Sequence, residues 1–529
     1  MLKQSIKLAN SRFTIASQTN SKIGVSLRLA SSQRNFIFKA IQFHQLQQQR
    51  GYADTNKPAG DFKSPQEKEA EQFKAYMEQE EIKRKGSKFG KYLQYSVLGL
   101  IGVFSLLAIF QPWHSYSDDA AKSLRKGLWA ESEKENDYMK ALQNYQEALQ
   151  HCKEEGMSQL DPRYTGIVLK IGEMYEKLQM YDEQKKTYTG LSKFLFGKLV
   201  NDQVPDEWKD IVLQRDLIVM NRIITLTLEK GSGESKSNAN IDRLMKELLD
   251  RIRFAEGRVK REWPMLADVH ANDEKELDIT QVIAMKTKAQ KKKFVEENLP
   301  KETVKFIESW TTSWPAFTPE LISSRDLYAT LAMFLNKNEL AVNILKSNIL
   351  WMKLSGCEPI FIGTAISNLA SAYYLNMEKH EVISTQINFR IKHLLEKSFK
   401  KEQYRQEEVV KWRRILEVEN NIIESSSKQS ESVYKALIDL LGDVKKIDPK
   451  DELAISCVAM SNFGLGVVYL HRGDYEQSSV YLNNAKKIGS EFGLPQLVEK
   501  STYEIEKLRI QKLKLNSTID EKTSKKISL

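Results

Sequence analysis

Two stretches of this chain set the same kinds of side chain in the same register, and that spacing limits the fold more than any other feature. Near the C-terminus, Gly466, Tyr469, Ser478, Leu482 and Ala485 are separated by steps of three, nine, four and three residues. Far upstream, Gly172, Tyr175, Gln184, Tyr188 and Leu191 repeat those steps. Steps of three and four keep side chains on one helical face, and the step of nine leaves room for a turn. In the later stretch Gly473-Asp474-Tyr475 fills that turn. The register therefore predicts pairs of antiparallel helices. A small residue on the first helix lets the second pack closely, and Tyr and Ala side chains fill the seam.

This is the tetratricopeptide pattern, two helices in a unit of about 34 residues. Weaker copies follow. Ala141, Tyr145 and Ala148 fit the second helix of a first unit, whose turn must be longer than usual. Tyr328 to Leu345 fits with a shortened turn, and Ala370, Tyr373 and Val382 fit before the register is lost. Few Pro and Gly (12 and 24 of 529 residues) also favour helix over a sandwich or barrel. The expected fold is all-α: a degenerate tetratricopeptide-like helical-repeat domain, residues 111–510, following a single transmembrane helix. Residues 229–240 and the serine-rich 424–430 read as loops. Residues 255–300, broken by Pro264 and Pro300, read as an insertion between repeats, and 511–529 as a polar, frayed tail.

The transmembrane helix is the run Tyr92 to Phe110, 19 residues without a charge. A helix of that length matches a hydrocarbon core of roughly 30 Å. Ser96, Gly99, Gly102, Ser105 and Ala108 recur along it, small side chains that allow a neighbouring helix to approach. Residues 1–52 hold eight basic side chains and no acid, with seven serines, the pattern of a mitochondrial presequence. Arg50, Tyr52 and Ala53 resemble a processing site, cut between Tyr52 and Ala53. Lys83, Arg84, Lys85, Lys88 and Lys91 precede the span, so residues 53–91 are expected in the matrix and the repeat domain in the intermembrane space. Lys122, Arg125 and Lys126 after the span weaken that asymmetry. The expected location is the mitochondrial inner membrane, crossed once.

Chemistry is hard to find in the sequence. The net charge of +10 comes mostly from the leader; beyond it 72 basic face 70 acidic side chains, a poor match for nucleic acid. Gly231-Ser-Gly-Glu-Ser-Lys236-Ser237 lacks the second glycine of a phosphate loop, with Ser235 in its place. His380-Glu381 has no second His four residues on, and Cys152, Cys357 and Cys457 are too dispersed for a zinc site. His471, in the turn of the best repeat, is expected to be solvated. No cofactor, metal or catalytic residue is expected, and the chain reads as a non-enzyme. Its repeat surface could bind other proteins, with Trp310, Trp314 and Phe317 as either a contact patch or a connector packed on the array.

Pro112 to Ser132, Asp137 to Cys152 and Tyr164 to Met180 resemble the fungal "mitochondrial genome required" adaptors of the inner-membrane i-AAA protease supercomplex. The likeness returns around 459–489. It implies an adaptor that binds the ATP-dependent protease together with a second membrane adaptor subunit, and recruits unfolded or misfolded mitochondrial proteins. An import receptor shares the architecture but normally lacks a cleavable presequence, which Arg50-Gly-Tyr-Ala53 weighs against. A scaffold for respiratory-complex assembly is the other alternative.

Overall fold

The computed structural model describes residues 116–132, 134–230, 237–262, 279–285, 289–290, 293–294, 315–396, 402–442, 447–448 and 451–527. The presequence residues Arg50, Tyr52 and Ala53 lie outside these, as do the small residues Ser96, Gly99, Gly102, Ser105 and Ala108 of the span, and Trp310 and Trp314. Every regular element among the described residues is a helix. The chain divides into two compact units at residues 187–188.

The first unit holds α1 (Asp118–Glu131), α2 (Tyr138–Glu154) and α3 (Pro162–Lys177), and the start of α4 (Tyr181–Val200). Short oxygen-bearing side chains set the starts. Asp137 accepts from the Lys140 N–H at 3.0 Å, and Asp161 from that of Arg163 at 2.7 Å with Pro162 behind it. Such caps satisfy backbone donors that a helix leaves unpaired at its first turn. α1 packs on α2 and α2 on α3. Their shared core contains Ala141, Tyr145, Ala148, Ile167 and Met174. A β-carbon on Gly127 of α1 would stand 2.6 Å from the Tyr145 ring, so only glycine admits that ring. The six residues between α1 and α2 form the longer turn that the spacing requires.

The second unit continues with α5 (Asp206–Lys230), α6 (Asn238–Glu262), α7 (Ile279–Ala284), α8 (Thr318–Phe334) and α9 (Asn338–Leu354). α10 (Pro359–Glu396), α11 (Glu402–Leu441), α12 (Glu452–Arg472), α13 (Tyr475–Glu491) and α14 (Pro495–Ile527) complete it. From α8 onward each helix packs on the next in chain order, the arrangement expected of stacked helical repeats. α12 and α13 meet at the tight turn read from the sequence. Gly473 ends α12 in the left-handed region (φ 79°), and Asp474 caps α13 by accepting from the Gln477 N–H at 3.1 Å. By length and composition α12 could cross a bilayer (mean hydropathy 1.8). Yet 78% of its apolar window is buried, so the helix is core.

Several sequence expectations need correction. Residues 424–430 are not a loop but the middle of α11. Ala370, Tyr373 and Val382 do not flank a turn; they lie on α10, 38 residues without a break. The apolar positions of that helix continue to be covered past Val382, which is itself exposed. Of the two readings of Phe317, contact patch or packed connector, its complete burial ahead of α8 agrees with the connector. Residues 511–527 extend α14 instead of fraying. The expected insertion is partly integral, because residues 255–262 complete α6 and α7 packs on α9 and α11. Lys353 fixes α7 by donating from a buried Nζ to the Ile283 and Met285 carbonyls at 3.0 and 3.1 Å.

A buried ionic triangle ties α4, α5 and α6. Ser192 donates to Asp216 at 2.7 Å, Arg251 donates to Ser192 at 2.9 Å, and Arg251 Nε lies 2.9 Å from the Asp216 carboxylate. Arg251 also sits over the Phe196 ring. Burial pushes the Asp216 carboxyl up to about 6, against the pull of the arginine beside it.

Candidate protein-binding surface

A helix in this array usually has 14 to 25 residues, whereas α10 and α11 have 38 and 40. At 1.5 Å per residue the pair is about 57 Å long. Over its middle stretch the seam between them is lined with small polar groups. Ser430 donates to the Ala370 carbonyl (2.9 Å), Asn376 to Ser426 (3.3 Å) and Ser384 to Asn420 (3.1 Å). Ser371 and the Tyr434 hydroxyl are 3.0 Å apart. Ser427 takes a hydrogen bond from Arg472 of α12 at 2.7 Å. These serines are buried and satisfied, which a loop reading of 424–430 does not provide.

Towards the connection between the two helices, the chemistry changes. A separate apolar cluster of Ile387, Ile391 and Val409, with Trp412, Ile415 and Leu416 around it, draws on α10 and α11 alone. Arg390 lies over the Trp412 ring. Phe389 (69% exposed), Leu395, Val410 and Val418 face outward. An open depression follows α11 past Gln406, Val410, Lys411 and Arg414. Exposed apolar side chains set among charged ones suit binding of protein.

Midway along α10, where α12 and α14 come close, lies a charged knot. The Tyr374 hydroxyl donates to Glu378 at 2.8 Å and contacts His471 Nε2 at 3.0 Å. Glu381 stands 3.4 Å from His471 Nδ1. On α14, Lys507 donates to the buried Glu504 at 2.9 Å. His471 is thus in the last turn of α12, partly covered by α10, and not the solvated turn residue expected. Burial works against its charge, but the hydrogen bond it donates to Glu381 and the charges of Glu381, Glu378 and Glu504 prevail and raise its pKa. Burial likewise raises Glu378, only partly countered by His471. Both groups hold protons more tightly folded than unfolded. The contribution of each is complete below its own ordinary value, the carboxylate's for Glu378 and the histidine's for His471, and is lost as pH rises through the folded one. The melting temperature should therefore fall as pH rises past the ordinary histidine value, and His471→Gln should flatten that slope. An unchanged slope in the variant would place the pH dependence elsewhere.

The repeat residues read from the sequence are largely interior. Ala141 and Ala148 are fully buried, and the buried Tyr145 donates to Glu131 at 2.7 Å. Gly172 is buried on α3, and Tyr175 accepts from Gln146 at 3.2 Å. Tyr188, Ala370 and Tyr373 are buried. Gly466 faces Leu482, Ser478 donates to the Gly466 carbonyl at 2.7 Å, and Ala485 is fully buried. Tyr469 stacks on Tyr481 and donates to Glu431 at 2.6 Å. Sequence reasoning missed Gly464 and the entire outer part of the α10–α11 pair. The available signal was the absence of Pro or Gly from Thr364 to Leu441.

Among the described residues no group of three His, Cys, Asp or Glu side chains is placed to hold a metal. Cys152 and Cys457 are buried free thiols, and burial pushes Cys457 up to about 12, far from a reactive thiolate.

Comparison with known proteins agrees with the likeness read from the sequence. A family described as "MGR3 middle domain" matches residues 201–357, from the end of α4 to just beyond α9. "Protein MRG3-like" of Saccharomyces cerevisiae is 28% identical over 437 residues, covering 80% of this chain and 89% of that one. The "Mitochondrial inner membrane i-AAA protease supercomplex subunit MGR3" of the same yeast is 25% identical over 443 residues, covering 80% of this chain and 84% of that one.

Proposed function

We propose that this chain, an MGR3-like protein by its middle domain and by its likeness to both yeast proteins, is a subunit of an inner-membrane i-AAA protease complex. The observation that carries this reading is the alignment with a protein named as such a subunit, which runs through most of both chains. In this reading the chain is a non-enzymatic adaptor. Residues 1–52 are removed on import, 92–110 anchor it, 53–91 face the matrix and the helical domain faces the intermembrane space. It binds unfolded or misfolded proteins, works beside a second membrane adaptor subunit, and delivers its cargo to the ATP-dependent protease. Holding cargo close to a tethered enzyme raises its local concentration and speeds capture without any chemistry in the adaptor itself. The outward apolar side chains of α10 and α11 supply a surface for exposed hydrophobic segments of cargo.

The test is affinity purification of the tagged full chain from solubilised mitochondria, combined with cargo binding. The protease and a second small membrane protein should co-purify, and loss of this chain should slow turnover of the protease's substrates without abolishing it. Phe389→Ser with Val410→Ser should leave the complex intact while reducing binding of a chemically denatured protein several-fold. Failure of the protease to co-purify would overturn the subunit role and favour an assembly scaffold. Equal binding of denatured and native protein would overturn the cargo role.

A further inference from the structure

α1 begins at Asp118, shortly after the uncharged run that ends at Phe110. Residues 111–117 reach at most about 25 Å when fully extended. If the run crosses the membrane, as the proposed function holds, this helix is confined to the neighbourhood of the lipid headgroups. Its two faces differ sharply. The face on α2 is made of Ala120, Ala121, Ser123, Gly127 and Ala130. The outer face carries Lys122, Arg125 and Trp129 in line at steps of three and four, with Lys126 and Leu128 beside them. Leu128 and Trp129 are each 55% exposed, a high value for apolar side chains. Acids flank this face at both ends of the helix, and Glu131 in the last turn is taken up by Lys170 and Lys177 at 3.5 and 2.9 Å. Asp118 and Asp119 occupy the first turn, while Glu135 accepts from the Trp129 indole N–H at 2.8 Å and from Lys140 at 3.2 Å. Lys134 stands over the Trp129 ring.

We propose that this face of α1 lies on the anionic surface of the bilayer that holds the anchor. Trp129 and Leu128 sit at headgroup depth, and Lys122, Arg125 and Lys126 contact anionic lipid headgroups. Tryptophan favours that depth because its ring is apolar and its N–H polar. Basic side chains on one face of a helix are drawn to an anionic leaflet. The assignment also accounts for basic residues just after the span, where a purely topological signal would place none. The short linker argues for lipid over a protein partner, since the bilayer is the one surface that this helix cannot leave.

The full-length protein, reconstituted in lipid nanodiscs with brominated acyl chains, tests this through quenching of tryptophan fluorescence. In discs of phosphatidylcholine with phosphatidylserine, Trp129→Tyr should remove about half of the quenching, Trp113 by the span supplying the remainder. The triple charge reversal Lys122→Glu, Arg125→Glu, Lys126→Glu should reduce quenching to the level in pure phosphatidylcholine discs. Quenching unchanged by Trp129→Tyr, in a chain that resists alkaline extraction, overturns this inference and leaves the anchor standing. A chain released by alkali overturns the anchor and the inference together. A Trp129 that is unquenched in discs and shielded only in whole mitochondrial membranes assigns the face to a protein partner and overturns the proposal.

Discussion

Replacing Arg251 with alanine should destabilise the protein by about 3–5 kcal/mol, the usual cost of stranding one half of a buried ion pair. Asp216 is wholly buried between helices, and Arg251 and Ser192 are its polar neighbours. With the arginine gone, the carboxyl loses the charge that opposes its desolvation and takes up a proton near neutrality. The folded state then pays for a buried acid with one hydrogen bond in place of a closed triangle, and for the cavity left over Phe196. Denaturant unfolding of the full chain in detergent measures the loss. The double variant Asp216→Leu, Arg251→Met should recover most of it, because removing both charges leaves nothing unpaired. A single variant within about 0.5 kcal/mol of the parent would show that the triangle contributes little.

Leucine at Gly464 or Gly466 should cost about 1–3 kcal/mol each by overpacking, and more if the helices cannot part. The two glycines lie two positions apart on α12 and serve different neighbours. A β-carbon at Gly466 would lie 2.6 Å from Leu482 Cγ and 3.0 Å from the Leu482 backbone nitrogen, so α13 itself must move. At Gly464 it would lie 2.6 Å from the edge of the Tyr434 ring, which is buried on α11 and tied to Ser371. The urea midpoint should fall in both variants. Tyr434→Leu should partly rescue Gly464→Ala and leave Gly466→Ala unrelieved. Rescue of both, or of neither, would contradict this division of contacts.

That pair of glycines also marks how far the sequence could be read. Gly466 belongs to a register of local contacts, with its partner Leu482 sixteen residues on across a short turn, and spacing alone picks it out. Gly464 answers to Tyr434, in a different helix pair, and nothing in the local pattern points there. The same divide explains the serines of 424–430. Their composition favours a loop, yet their partners Ala370, Asn376 and Arg472 are remote in sequence, and those partners make a helix of the segment. The helix pairs around Gly172, Tyr145 and Leu345 were legible because a turn residue or a cap ended each helix. α10 and α11 were not, because a helix that simply continues leaves no mark. The outer surface of that pair was invisible for a further reason: Phe389 and Val410 follow no pattern that distinguishes an exposed apolar residue from a core one.

The long pair α10–α11 imposes an order on folding. Its contacts nearest the connection join residues close in sequence, such as Ile391 and Val409, while those at its base join residues as distant as Ala370 and Ser430. Closing the near contacts first shortens the loop that each later one must close, so the pair can zip from tip to base at low entropic cost. α12 docks at the base, through Gly464 on Tyr434 and Arg472 on Ser427. Among the described helices the apolar α12 can pair with α13 across its short turn at once, but its face for α10 and α11 stays open until zipping is complete, and until then that face is the one in need of a chaperone.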